Sequence, residues 1–221
     1  LLLIILILLT ACQSNKKADS FEVNGTFIHT PSKKIFLAEL PFGSTQRTIL
    51  DSTTIDNNGR FSLKAVAKGE GIYQIFVEKG PGIILINDVN KMEINADAKK
   101  LSEYTITGGT VNNDMKKMFN EIVLADSIMR KEKMHQDSLF SVKAKDSVVQ
   151  IAIQNVDKAF QTIQSTIENF VQKQANGTAV YFTLGIAKEF EEENKWKSLL
   201  EASLKKFPNH PGLQLLKVST T

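Results

Sequence analysis

A single thiol is the most reactive group in this chain. Cys12 is the only cysteine among 221 residues, and it closes the stretch Leu9-Thr10-Ala11-Cys12, where an apolar run gives way to small residues. With one cysteine there is no C-x-x-C pair, so thiol–disulfide exchange cannot be completed on this chain alone. Other groups able to do chemistry are dispersed. His29, His135 and His210 fall in three separate segments, and none has a second ligand three or four residues away, so no zinc site is expected. Asp56-Asn57-Asn58-Gly59 lacks the spacing and closing Glu of a calcium loop and reads as a hairpin turn. No G-x-S-x-G elbow, P-loop or dinucleotide fingerprint is present. Met115, Met118, Met129 and Met134 keep a helical spacing that core packing explains better than a soft-metal site. Glu189, Glu191, Glu192 and Glu193 read as a solvated helix end. The expectation is a chain with no cofactor, no metal and no catalytic residue.

Residues 1–9 are all Leu or Ile. A bilayer span needs about 20 apolar residues, so this run is too short and has the shape of the h-region of an export signal. The segment resembles a bacterial lipobox, which implies cleavage before Cys12 and acylation of its thiol. Residues 1–11 are then a signal peptide, 12–20 a tether, and 221 − 11 = 210 residues would remain. No Met or basic n-region precedes the run, so a longer precursor is expected. Several acyl chains together anchor a protein stably. The expected location is the cell envelope, lipid-anchored at the outer membrane and facing the periplasm or the exterior. The partners expected are the membrane, through the lipid, and no nucleic acid, because a net charge of +3 is too small for that. Four Asp-Ser sites, at Ser52, Ser127, Ser138 and Ser147, resemble the acceptor motif of Bacteroidetes O-glycosylation and are candidate glycan acceptors.

Behind these groups stand two halves of different period. Hydrophobic residues make up 42% and charged residues 23%, ordinary for a globular protein. Over 21–109 apolar residues alternate, as in Phe61, Leu63, Ala65 and Tyr73, Ile75, Val77. Turn signals such as Asn58-Gly59 and Lys79-Gly80-Pro81-Gly82 separate seven or eight short strands. The run 83–86 is apolar throughout and reads as a central strand. An antiparallel β-sandwich or a partly closed barrel is expected. Residues 111–174 contain neither Gly nor Pro, and Met115, Met118, Ile122, Ala125 and Met129 keep three-four spacing. A second seam runs from Leu139 to Phe170. The helix break is expected at 136–138, with Asp137 or Ser138 as N-cap of the longer helix. Asp146 then falls on the seam and would need Arg130, Lys131 or Lys133 as partner. Asn176-Gly177 should end this helix, and two shorter helices follow at 178–191 and 194–206. The helical region is bounded at 110–212, with 213–221 a linker or the start of another element. The fold class is therefore α+β, a β-rich domain followed by a helical hairpin or bundle.

Particular stretches carry a family likeness: Phe21-Glu22-Val23-Asn24-Gly25-Thr26-Phe27, Lys34-Ile35-Phe36-Leu37-Ala38-Glu39-Leu40, Asp51-Ser52-Thr53-Thr54-Ile55, Gly59-Arg60-Phe61-Ser62-Leu63, and Ile106-Thr107-Gly108-Gly109-Thr110 with Asn112-Asn113. They resemble the β-rich domain of unknown function at the N-terminus of many Bacteroidetes thioredoxin-like lipoproteins. The helical half, through Phe207-Pro208-Asn209-His210-Pro211, is similar to the spacer that follows in those proteins. The resemblance implies that a C-x-x-C domain comes next, beyond Thr221, and it transfers no active-site residue. The expected function is a non-catalytic, tethered module that positions a downstream thioredoxin-like domain or holds its envelope client. The alternatives are a free-standing envelope lipoprotein that binds a protein or glycan through its β-domain, and a coiled-coil scaffold built on 139–170.

Overall fold

A computed structural model describes residues 19–219. Cys12, the apolar run and the tether up to residue 18 lie outside the described residues, while Asp19 and Ser20, expected in the tether, already belong to the first strand. Eight strands come first: β1 Asp19–Ile28, β2 Lys34–Leu40, β3 Thr48–Thr54, β4 Arg60–Ala67, β5 Ile72–Val77, β6 Gly82–Ile86, β7 Lys91–Asp97 and β8 Thr105–Thr107. Alternation translates directly into facing. In β4, Phe61, Leu63, Ala65 and Ala67 are buried while the residues between them are exposed. The strands form two sheets, ordered β4-β1-β7-β8 and β3-β2-β5-β6. Each keeps its own edges, so the fold is a sandwich and not a barrel. Phe21, Val23, Phe27, Phe61, Leu63, Met92 and Ile94 from one sheet meet Ile35, Leu37, Tyr73, Ile75, Val77 and Leu85 from the other.

Two expectations about the strands need correction. The first sheet is mixed, because β1 pairs parallel with β7, Gly25 lying opposite Ile94. The chain passes through the whole second sheet between these strands, and a connection that long permits parallel pairing. β6 lies at an edge of its sheet rather than at the centre. It is apolar throughout because helices cover its outer face, as described below. At the opposite edge, Asp51 accepts from the Ser52 and Lys64 amides, both at 2.8 Å, and so ties β3 to β4 where the two sheets meet.

Five helices follow: α1 Thr110–Ser141, α2 Asp146–Lys173, α3 Gly177–Phe190, α4 Glu193–Lys206 and α5 Pro211–Val218. α1 runs through the expected break at 136–138. Its inner seam of Met118, Ala125, Glu132 and Leu139 continues without interruption, and the capping chemistry of Asp137 and Ser138 loses to it. The reversal occurs at 142–145, where Lys143 takes a positive φ of 53°. Asp146 is therefore not a seam residue. It is exposed in the first turn of α2, where the helix dipole favours an acid. Arg130 pairs instead with Asp126 on its own helix. Asn176 does not end α2 but begins α3, accepting from the Ala179 amide at 2.8 Å. Residues 211–218 form a helix, with Pro211 in its first turn, so of the two expectations for 213–221, a linker or the start of another element, 213–218 are a further element. Ile163, Ile167 and Val171 of α2 pack with Val180, Leu184, Trp196, Leu200 and Leu213 into a second core.

Gly25 shows how tightly the parallel pair is built. Its φ is +147°, and a Cβ there would sit 1.8 Å from the Ile94 carbonyl oxygen. Gly25→Ala should cost roughly 2 kcal/mol or more, combining strain with displaced backbone. Urea denaturation checks this, and an unchanged midpoint would contradict it.

Candidate functional site: the junction of sandwich and helices

The described residues that do the most specific chemical work lie where the two halves join. As an edge strand, β6 has backbone groups facing away from β5 with no strand to meet them. Asn112, in the first turn of α1 and only 2% exposed, supplies both partners. Its Oδ1 accepts from the Ile86 amide at 2.8 Å and its Nδ2 donates to the Ile86 carbonyl at 2.8 Å. The same Nδ2 lies 3.2 Å from Asp88 Oδ1. Burial pushes the Asp88 carboxyl up, while a hydrogen bond from the Val111 amide, at the start of α1, pulls it down. Gly109 leaves room for this carboxylate, since a Cβ there would lie 2.6 Å from Asp88 Oδ1. Ile86 itself is buried against Val111, Met115 and Ala179.

Two further ties fasten the same end. Phe42, in the loop after β2, packs edge-on to Tyr181 and His210 with ring centroids 4.9 and 5.2 Å apart, and the Gly43 amide donates to Tyr181 Oη at 3.0 Å. A side chain at Gly212 would collide with both Tyr181 and Phe42. Asn176, while capping α3, donates from Nδ2 to Glu70 Oε2 at 2.8 Å, which holds the turn after β4.

The residues singled out in the sequence are not brought together here. Cys12 lies outside the described residues. Ser52 is exposed on β3, Ser127 and Ser138 are exposed on α1, and Ser147 is exposed in the first turn of α2. Two of the preceding carboxylates have structural partners: Asp51 as above, and Asp126 on Arg130. His29 pairs with Asp97 at 2.9 Å, His135 is exposed, and only His210 is at the junction. The acidic run is less uniform than a solvated face. Glu191 Oε1 is buried without a partner, and burial, then the charge of Glu168, raises its carboxyl against a smaller opposing pull from Lys195. A groove of about 580 Å³ between α1 and α2 is lined by charges of both signs, Asp114, Lys117, Glu121 and Lys173, around Met118 and Phe170. Among the described residues no cluster of His, Cys, Asp or Glu could hold a metal, and no helix is long and apolar enough to cross a membrane.

Residues 21–115 match the model of a family described as Domain of unknown function (DUF4369). The match covers the sandwich from the third residue of β1 and continues to Met115 in α1. The matched domain thus contains Asp88 and Asn112, so the first tie to the helices is internal to it. Neither a curated protein nor a solved structure matches the chain.

Asn112 was visible in the sequence as part of the likeness, but nothing local marked it as the partner of a strand edge. Phe42, Glu70 and Asp88 sit in turns that read only as turns. Removing Asn112 should leave two buried backbone groups unpaired, so Asn112→Ala is expected to cost roughly 2–4 kcal/mol. Chemical denaturation measures it; a loss no larger than that of an exposed helical Asn→Ala would show that the contact is incidental.

Proposed function

We propose that this chain is a non-catalytic, lipid-tethered module of the cell envelope that positions a thioredoxin-like domain following α5. The observation that carries this reading is the junction. The sandwich is tied at three places to the helices, and one tie, Phe42 on Tyr181 and His210, reaches the root of α5 itself. A domain attached after α5 would be held in a defined relation to the sandwich instead of swinging on a linker. Cys12 would supply the membrane anchor by acylation, and Ser52, Ser127, Ser138 and Ser147 remain exposed candidates for glycan attachment. The resemblance to Bacteroidetes thioredoxin-like lipoproteins supports the same reading.

A second reading, a partner-binding β-domain, has one feature in its favour. On the outer face of the second sheet Phe36 and Phe76 stack with centroids 5.1 Å apart, and the Arg47 guanidinium lies 3.9 Å over Phe76. Beside them Ile49 is 54% exposed.

The test separates the two. The native product should extend beyond residue 221 into a C-x-x-C domain and reduce insulin disulfides, while the present chain alone should not, having no second thiol. Deleting residues 19–219 from that product should leave insulin reduction intact and abolish preference among envelope clients. A reading frame that stops without a C-x-x-C would sink the positioning role and leave the partner-binding reading.

A further inference from the structure

His210 joins three elements through a ring that can do so only when uncharged. Its Nδ1 lies 3.3 Å from the Leu213 amide of α5. A backbone N–H can only donate, so Nδ1 must be unprotonated. The neutral ring then carries its proton on Nε2, which donates to Thr178 Oγ1 of α3 at 3.1 Å. The ring also makes a T-shaped contact with Phe42 from the sandwich. Packing leaves little room for rearrangement, since a Cβ on Gly177 would lie 2.9 Å from His210 Cδ2. A second proton has only Nδ1 to occupy, where it would point at the Leu213 N–H and convert a helix cap into two opposed donors.

We infer that His210 is a proton-operated latch: its neutral imidazole clamps α5 to α3 and to the sandwich loop at 41–43, and protonation releases the first turn of α5. The latch is a property of this chain whatever α5 carries; under the proposed function it would loosen the following domain in acid.

The electrostatic surroundings support this. Burial, the larger effect, holds the His210 imidazole below the usual histidine range, and the Glu70 carboxylate on the turn after β4 pulls it partly back. Tyr181 is the titratable neighbour on α3. From α4, Lys206 lies over the Phe207 ring and donates to the Gln172 and Gln174 carbonyls. The first turn of α5 carries no acid, and Phe42 brings no charge. A histidine whose folded pKa is depressed stabilises the fold above its unfolded value of about 6.5, and that contribution is lost as pH falls through the folded value. The release window therefore lies on the acid side of about 6.5.

Hydrogen exchange on the whole chain at about pH 7.5 and about pH 5, corrected for intrinsic rates, tests the latch on both sides of that value. The Leu213 and Gln214 amides and the loop at 41–44 should lose protection in acid, while β5 and α4 keep theirs. His210→Asn, which can cap without titrating, should show no such change. Equal protection at both values in the wild type, or the same loss in His210→Asn, would overturn the proposal. The imidazole titration of His210 followed by NMR in the wild type is an independent check should the variant fail to fold: a midpoint at or above the ordinary histidine value would also overturn it.

Discussion

The architecture depends on how one strand edge is closed. An edge strand presents unpaired N–H and C=O groups that invite association with other chains unless something covers them. At β6 the cover is a single carboxamide. Asn112 offers Ile86 one acceptor and one donor, as a neighbouring strand would, and does so from the first turn of a helix. The pairing fixes where α1 begins and which way it leaves the sandwich. α1 has 32 residues, about 48 Å at 1.5 Å per residue. Small changes at its root would therefore be large displacements at its far end.

Burial is distributed unevenly along that lever. Near the junction α1 packs Met115, Met118 and Ala125 into apolar surroundings. Beyond Met129 its inner seam carries Glu132 and Gln136, and Glu132 meets Asn155 of α2 at 3.1 Å. Met134 of α1 at 74% and Val142, just past its end, at 71% are exposed. Few buried apolar contacts mean a low free energy of local opening, so the distal hairpin is the part of the helical body that opens first. The root, between the sandwich core and the core around Trp196, is the part that opens last. Three independent ties at one end of the molecule make the two halves a single body, and the proposed positioning role rests on that rigidity.

Much of this was legible in residue order, and the failures have physical causes. Strand alternation such as that of β4 reports facing directly, so the sandwich layers could be read. Partner choice could not: β1 and β7 are far apart in sequence, and nothing in either announces a parallel pair. Gln136-Asp137-Ser138 carries capping chemistry, yet a seam that continues to Leu139 outweighs it, and the true turn at Lys143 has no glycine to mark it. His210-Pro211 reads as a helix break, but the same pair can start a helix, with histidine as cap and proline in the first turn. The junction was the least legible feature. Asn112, Asp88, Glu70 and Phe42 matter because of what lies opposite them, and each looks ordinary among its own sequence neighbours.

If sandwich and helices form one rigid body they must melt together, which thermal unfolding followed separately in the two halves reveals. Trp196 is buried in the helical core and reports that half by fluorescence, while hydrogen exchange of β2 and β5 reports the sandwich. A union through the three ties predicts one transition, with both probes sharing a midpoint. Two separated transitions, the helices melting while β2 and β5 stay protected, would contradict it.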